Sequence, residues 1–314
     1  MAGLRVGVVG AGGVGIATAG AIIMQGLAGR VTLYDRTGDR ARGEALDYLH
    51  ALPLLPQTEI RGRSFDEFER EDVMVVTVGH HIKPGESRLD VLEANVEILA
   101  STATAMEAGG LPRVVIVVSN PLDVLTEYLT RRWAGHPVSV MGSGTSLDTL
   151  RFGERLANAC GVHPRSIHAW VIGEHGDSSV FLFSSATIGA LPLAEFAAQR
   201  SIDLTPEWFA RIEQDVRTAA YRVRELRGSP RHGIGLTVSG LVRCIGRENG
   251  TIIPVSVRVE DRLCASLPCS LGPDGASDPL WPTMSAEEAA GWAHSLDVLR
   301  KAGAGLPAFG HVNQ

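Results

Sequence analysis

Leu4-Arg5-Val6-Gly7-Val8-Val9 runs directly into Gly10-Ala11-Gly12-Gly13-Val14-Gly15, and this stretch decides how the 314-residue chain is read. The apolar run has the composition of a buried strand. Residues 16–27 follow with helical character, and Val31-Thr32-Leu33-Tyr34 reads as a second strand that ends on Asp35. The order is strand, G-x-G-x-x-G, helix, strand and acid, with the acid twenty residues beyond Gly15. A dinucleotide-binding βαβ unit has this order for mechanical reasons. Gly10 permits the tight turn, Gly12 lets backbone approach a pyrophosphate, and Gly15 lets the helix pack on the strand. The helix N-terminus then presents free N–H groups and the positive end of its dipole to the phosphates. Asp35 is placed to accept hydrogen bonds from the adenosine ribose hydroxyls, and its charge repels a 2′-phosphate. The expected cofactor is NAD(H); the competing reading is a tight turn in some other α/β protein.

Working outward, residues 39–52 have helical periodicity, residues 73–78 and 114–118 are short Val/Ile runs, and residues 90–108 form an amphipathic stretch of helix length. Continuous apolar strands separated by helices predict a parallel sheet covered on both faces. Ligands of such sheets bind beyond the carboxyl ends of the strands, which directs attention to residues 79–89, beginning with Gly79, and to residues 119–122. From about Gly142 the texture changes. Helices are expected near 146–159 and 206–226, strand-like runs at 167–172 and 180–182, and a hairpin over 253–268. The expected fold is α/β: a Rossmann-type doubly wound parallel sheet in residues 1–142, followed by a mixed α+β substrate domain in residues 143–314.

Composition excludes other classes. Net charge is −6, and no run of Lys or Arg exceeds two residues. The chain therefore lacks the electrostatic footprint of a nucleic-acid or anionic-membrane partner. No apolar run approaches the ~20 residues that span a bilayer. A core strand starting at Leu4 leaves no room for a signal peptide. Cys160, Cys244, Cys264 and Cys269 show neither C-x-x-C nor metal-ligand spacing, so no metal centre is expected. Reduced thiols in a cytoplasmic protein are the default for such cysteines.

Ile172-Gly173-Glu174-His175-Gly176-Asp177 places a histidine between glycines just past a strand, where it can face a cleft. A neutral imidazole is poised to exchange a proton near pH 7. A carboxylate on its far nitrogen would fix the tautomer and favour the imidazolium. Asp148 is the candidate and Asp177 the local rival. Asp148 and Arg151 lie three residues apart, so on a helix they share a face. One helix can then orient the histidine and offer a guanidinium fork to a substrate carboxylate. The spacing is equally that of a plain surface ion pair.

Taken together, five signatures resemble the NAD-dependent L-lactate/L-malate dehydrogenase family, and the resemblance extends from about Leu4 to Leu299. They are Gly10 to Gly15 with Asp35, Lys83-Pro84-Gly85-Glu86-Ser87-Arg88, Ser119-Asn120-Pro121, the stretch 142–151, and 173–177. The resemblance implies an oxidoreductase that moves a hydride between nicotinamide and C2 of an L-2-hydroxy acid. It makes His175 the proton donor and acceptor, Asp148 its partner, and Arg151 the anchor of the substrate carboxylate. Arg88, on a mobile loop, polarises the carbonyl, and Asn120 hydrogen-bonds near substrate and nicotinamide. The family forms homodimers and homotetramers; Leu46, Leu49 and Leu52 can be buried between subunits or within the subunit's own core.

Two residues depart from the relatives. Ile82 falls where lactate-type enzymes carry Gln and malate-type enzymes Arg, in contact with the group attached to C2. An unpaired carboxylate buried against Ile would cost several kcal/mol, on the order of 2–7, whereas an apolar group gains roughly 25 cal/mol per Å² buried. Pro230 stands where lactate enzymes usually have Thr. Both substitutions predict a 2-oxo acid with an apolar side group. Against this, His80 and His81 adjoin Ile82, and an imidazolium there would suit a dianionic substrate.

Overall fold

A parallel strand buried on both faces must be apolar at every position, and Val73-Met74-Val75-Val76 and Val114-Val115-Ile116-Val117 are buried throughout. A computed structural model describes residues 3–80, 88–247 and 250–306, with backbone alone at 88–90. The first half runs β1 (Arg5–Val9), α1 (Gly13–Met24), β2 (Arg30–Asp35), α2 (Gly38–His50), β3 (Glu59–Ser64), β4 (Val73–Val76), α3 (Arg88–Gly109), β5 (Val114–Val117), α4 (Leu122–Arg132) and β6 (Ser139–Gly142). The second half continues with α5 (Ser146–Cys160), β7 (Ile167–His168), β8 (Val171–Ile172), β9 (Val180–Phe181), β10 (Thr187–Ile188), β11 (Leu191–Pro192), α6 (Leu193–Gln199), α7 (Pro206–Arg227) and α8 (His232–Arg247). It closes with β12 (Thr251–Glu260), β13 (Leu263–Gly272), β14 (Gly275–Ala276) and α9 (Ala286–Gly303).

Six parallel strands stand in the order β3-β2-β1-β4-β5-β6, so the strand order reverses between β1 and β4. Alternate side chains take opposite faces. Val6, Val8, Val73 and Val75 meet Ile22 and Ile23 of α1 and Val238, Leu241 and Val242 of α8. Val9, Met74 and Val76 meet Leu99 and Met106 of α3 and Leu125 and Leu129 of α4. The doubly wound parallel sheet expected from sequence is therefore present.

Two features differ from the sequence reading, and a third decides between alternatives it left open. The hairpin β12–β13 is longer than expected and belongs to the main sheet: Ser256 pairs with Gly142 in antiparallel sense, extending the sheet to nine strands. The run expected as one strand over 167–172 splits, with β7 pairing to β10 and β8 to β9. The third concerns α2, whose Leu46 is 53% and Leu49 38% exposed, with Leu52 just beyond it 40% exposed; burial in the subunit's own core is thus ruled out for them.

Candidate active site

The glycine-rich turn sits at the carboxyl end of β1, beside the point where the strand order reverses. The Gly10 N–H donates to the Tyr34 carbonyl at 2.7 Å, and the Thr77 hydroxyl donates to the Val9 carbonyl at 2.8 Å, clamping the turn between β2 and β4. A Cβ at position 15 would stand 1.8 Å from the Gly10 carbonyl oxygen, so only glycine lets α1 approach β1 this closely. At Gly12 a Cβ would meet nothing within 4 Å. The backbone there faces open space at the first turn of α1, as a pyrophosphate cradle must. Asp35 closes the cradle: Oδ2 accepts from the Ala11 N–H at 2.8 Å and Oδ1 from the Thr37 N–H at 2.9 Å. Each oxygen retains a lone pair for a ribose hydroxyl. The residues fit an NAD-type dinucleotide.

His175 lies beyond β8, on a loop fixed from three sides. Gly173 exchanges two backbone hydrogen bonds with Ser266 of β13, both 2.9 Å, and takes a φ of 86° with Ser295 of α9 filling the space a Cβ would need. The Glu174 N–H donates to Ser295 Oγ at 2.7 Å. The His175 N–H donates to Asp123 Oδ2 at 2.8 Å. The same Ser266 accepts the Thr145 N–H at 3.0 Å, and Thr145 Oγ1 donates to the Val171 carbonyl, which ties the start of α5 to this loop.

Asp148, in the first turn of α5, meets the ring: His175 Nδ1 is 2.7 Å from Asp148 Oδ2. Arg151 Nη1 donates to the other oxygen, Oδ1, at 2.9 Å. Burial alone would raise the Asp148 pKa, but the His175 charge and hydrogen bond, with help from Arg151, hold it below the ordinary value. Burial alone would likewise lower the His175 pKa, and Asp148 reverses this and raises it. Asp148 and Arg151 are thus more than a surface pair, because the carboxylate bridges guanidinium and imidazole. The contact with Asp148 engages Nδ1, and the His175 side chain is 27% exposed. Asp177 points elsewhere, accepting from the Tyr221 hydroxyl at 3.3 Å.

Asn120 caps the neighbouring corner, where its carbonyl accepts from Asn95 Nδ2 at 2.7 Å. Gly79 abuts the same side chain, a Cβ there falling 3.3 Å from Asn95 Oδ1. Pro230, half-buried, lies between α7 and α8. Arg88 opens α3, with its side chain outside the described atoms. Ile82 and His81 lie outside the described residues altogether.

The family model for the lactate/malate dehydrogenase NAD-binding domain matches residues 4–142, and that for the α/β C-terminal domain of the same enzymes matches residues 145–306. The chain belongs to the lactate/malate dehydrogenase family. Among curated relatives, the L-lactate dehydrogenase of Thermus aquaticus is 37% identical over 308 residues, covering 96% of this chain and 99% of that one. The L-lactate dehydrogenase of Chloroherpeton thalassium is 35% identical over 301 residues, 95% and 98% of the two chains. Among solved structures, a minor L-lactate dehydrogenase of Enterococcus mundtii in ligand-bound form superposes with a TM-score of 0.91 at 29% identity, covering 98% of this chain and 100% of that one.

Within this lactate/malate dehydrogenase fold, two site residues escaped the sequence reading. Asn95 is a buried amide in the middle of α3 whose Oδ1 accepts the His80 N–H at 2.5 Å, so one side chain ties the β4 loop to Asn120. A lone amide inside an amphipathic helix was the available signal. Asp123, in the first turn of α4, reads from sequence as a surface acid favoured by the helix dipole, yet it is 3% exposed beneath His175.

Proposed function

We propose that this NAD-dependent dehydrogenase interconverts an L-2-hydroxy acid and its 2-oxo acid, with His175 giving and taking the proton. The observation that carries this is the bridge Arg151–Asp148–His175, in which one buried carboxylate binds both the ring and the guanidinium. Hydroxy acid/oxo acid interconversion with NAD follows from the family and its named relatives. When bound, NAD(H) supplies or accepts the hydride at the substrate carbon. Asp148 holds the His175 ring with Nδ1 protonated, so Nε2 exchanges the proton with the substrate oxygen. Arg151 keeps further N–H donors for a bidentate grip on the substrate carboxylate, which fixes the reacting carbon in place. Arg88 stabilises negative charge on the carbonyl oxygen, and Asn120 donates to the same corner. A positioned acid/base contributes roughly 10²–10⁴-fold.

Residues 1–142 carry the cofactor through Gly10, Gly12, Gly15, Asp35, Gly79 and Asn120 and also bring Ile82, Arg88 and Asn120 to the substrate, while the catalytic domain, residues 143–314, supplies Asp148, Arg151, His175 and Pro230. By their types, Ile82 and Pro230 at the C2-group positions favour an apolar group. The exposed Leu46, Leu49 and Leu52 support a homo-oligomer, dimer or tetramer, and the four buried free cysteines support a cytoplasmic setting. A second reading, pyruvate itself, is favoured by the relatives, which are named L-lactate dehydrogenases.

The test is kcat/KM with NADH for pyruvate, oxaloacetate, 2-oxobutyrate, 2-oxoisocaproate, phenylpyruvate and phosphonopyruvate. At about 0.8 kcal/mol per buried methylene, the branched or aromatic acids should exceed pyruvate by about tenfold or more. A pyruvate maximum favours the second reading. A maximum for either dianion sinks the apolar pocket and assigns charge to the His80/His81 pair.

A further inference from the structure

The parallel neighbours β5 and β6 each lead into a helix whose first turn carries an aspartate, and both aspartates reach His175. Asp148 of α5 takes the ring; Asp123 of α4 takes the backbone N–H at 2.8 Å. Asp123 is buried, and its second oxygen, Oδ1, faces the Ser256 hydroxyl, a weak contact outside ordinary hydrogen-bond geometry, with no better partner for either atom among the described residues. Holding one N–H requires only an acceptor, which a neutral amide supplies. A buried carboxylate met only by one N–H and a weakly placed hydroxyl is an expensive way to do it. The arrangement makes physical sense if the negative charge is itself used.

We propose that Asp123 is a positioning residue for proton transfer: it fixes the His175 backbone, and its charge, added to that of Asp148, favours the imidazolium form of the ring. The proposal rests on His175 being the proton carrier. The groups that face Asp123 are few. On its own helix Glu127 lies one turn on and accepts from Cys264 of β13 at 3.2 Å. The 173–178 loop brings His175 and Glu174, β12 brings Ser256, and α5 brings Asp148 and Arg151, which act through the ring. Burial pushes the Asp123 pKa up to about 6, while the Ser256 hydroxyl, the His175 N–H and the His175 charge pull it down and Glu174 adds to the rise. Asp123 is therefore charged at neutral pH and loses that charge below about 6, where His175 keeps one carboxylate in place of two.

Asp123→Asn retains an acceptor of the same shape and removes the charge. Three quantities are measured on wild type and variant: the His175 ring titration by NMR of ring-labelled, cofactor-free protein, assigned with His175→Gln; the pH profile of kcat/KM for reduction of the best 2-oxo acid; and the Kd for NADH. The midpoint of His175 should fall by about half a unit or more. The limb at which reduction declines with rising pH should move down equally, with the NADH Kd within about twofold. An unmoved midpoint and limb, with kcat merely reduced, overturns the proposal and leaves Asp123 a scaffold residue. Should that variant fail to fold, Ser256→Ala removes a group that holds the carboxyl down, so Asp123 carries less charge near pH 6–7. The His175 midpoint should then fall by a smaller amount, and no change overturns the proposal. A shifted titration in a protein that reduces none of the oxo acids supports the Asp123 coupling while defeating the functional reading.

Discussion

The glycine-rich cradle and the His175 centre lie at the carboxyl ends of the same sheet's strands but are built in opposite ways. The cradle comes from residues 5–35, a single βαβ unit, and its shape follows from local sterics: the close crossing at Gly15, where a Cβ would fall 1.8 Å from the Gly10 carbonyl oxygen, and the short reach from Asp35 back to the Ala11 N–H. The His175 centre comes from α4, α5, the loop after β8, β13 and α9, and its parts are as far apart in sequence as Asp123 and Ser295. No local rule assembles it; strand order does. The two carboxylates that meet His175 differ in turn. Asp148 shares its charge with Arg151 and His175 and is held ionised, whereas Asp123 meets an N–H and a hydroxyl and is driven towards neutrality by burial. A charge can be buried cheaply only where opposite charge is buried with it.

That contrast can be broken from either side. The largest effect should come from His175→Ala, which is expected to lower kcat by roughly 10²–10⁴-fold while leaving the NADH Kd within about twofold. Turnover at the wild-type rate would remove the histidine from the reaction. The converse change is Gly15→Ala. The added Cβ forces α1 away from Gly10, and NADH binding by fluorescence titration should weaken by about tenfold or more, the equivalent of ~1.4 kcal/mol, with the His175 titration in place. If both readouts fail together, the two regions are one cooperative unit and the comparison is wrong.

A smaller and sharper test is the stability of two isosteric variants against pH. Asp148 has a lowered folded pKa, so its charge stabilises the fold above the unfolded value near 4, and that contribution disappears as pH falls through the folded value. Asp123 has a raised one, so its ionisation opposes folding above about pH 4, fully so above about 6, and acidification relieves the penalty. Asp148→Asn should therefore lower Tm at pH 7 and Asp123→Asn should raise it, each by a few degrees, on the order of 2–4 °C per kcal/mol. The Asp123 gap should close as pH falls from about 6 towards 4, whereas the Asp148 gap should persist at pH 4 and close only below it. Tm shifts of the same sign would show that the two carboxylates are not held differently.

Much of this was legible in the chain. The parallel sheet, the cradle and Asp35 followed from apolar runs and glycine spacing, and the pairing of Asp148 with Arg151 from their separation on one helix. The split of residues 167–172 into two sheets was hidden because a β-rich run looks the same whether its ends share a partner or not. The union of β12–β13 with the parallel sheet was hidden for a similar reason, since edge pairing at Gly142 and Ser256 depends on backbone groups that every residue carries. Asn95 and Asp123 look in sequence like ordinary polar positions on helices, and only burial distinguishes them.

What the sequence alone determined is what short-range physics enforces: periodicity sets strand and helix, a missing Cβ permits a turn and a close crossing, and an acid at the end of β2 meets the turn beside it. Tertiary structure bore out Asp148 over its rival Asp177 at the His175 ring, and it alone placed Asp123 beneath the His175 backbone. Those outcomes depend on where β5, β6 and β8 place their carboxyl ends relative to one another. That placement comes from packing the whole sheet between its helices, which no window of the sequence contains.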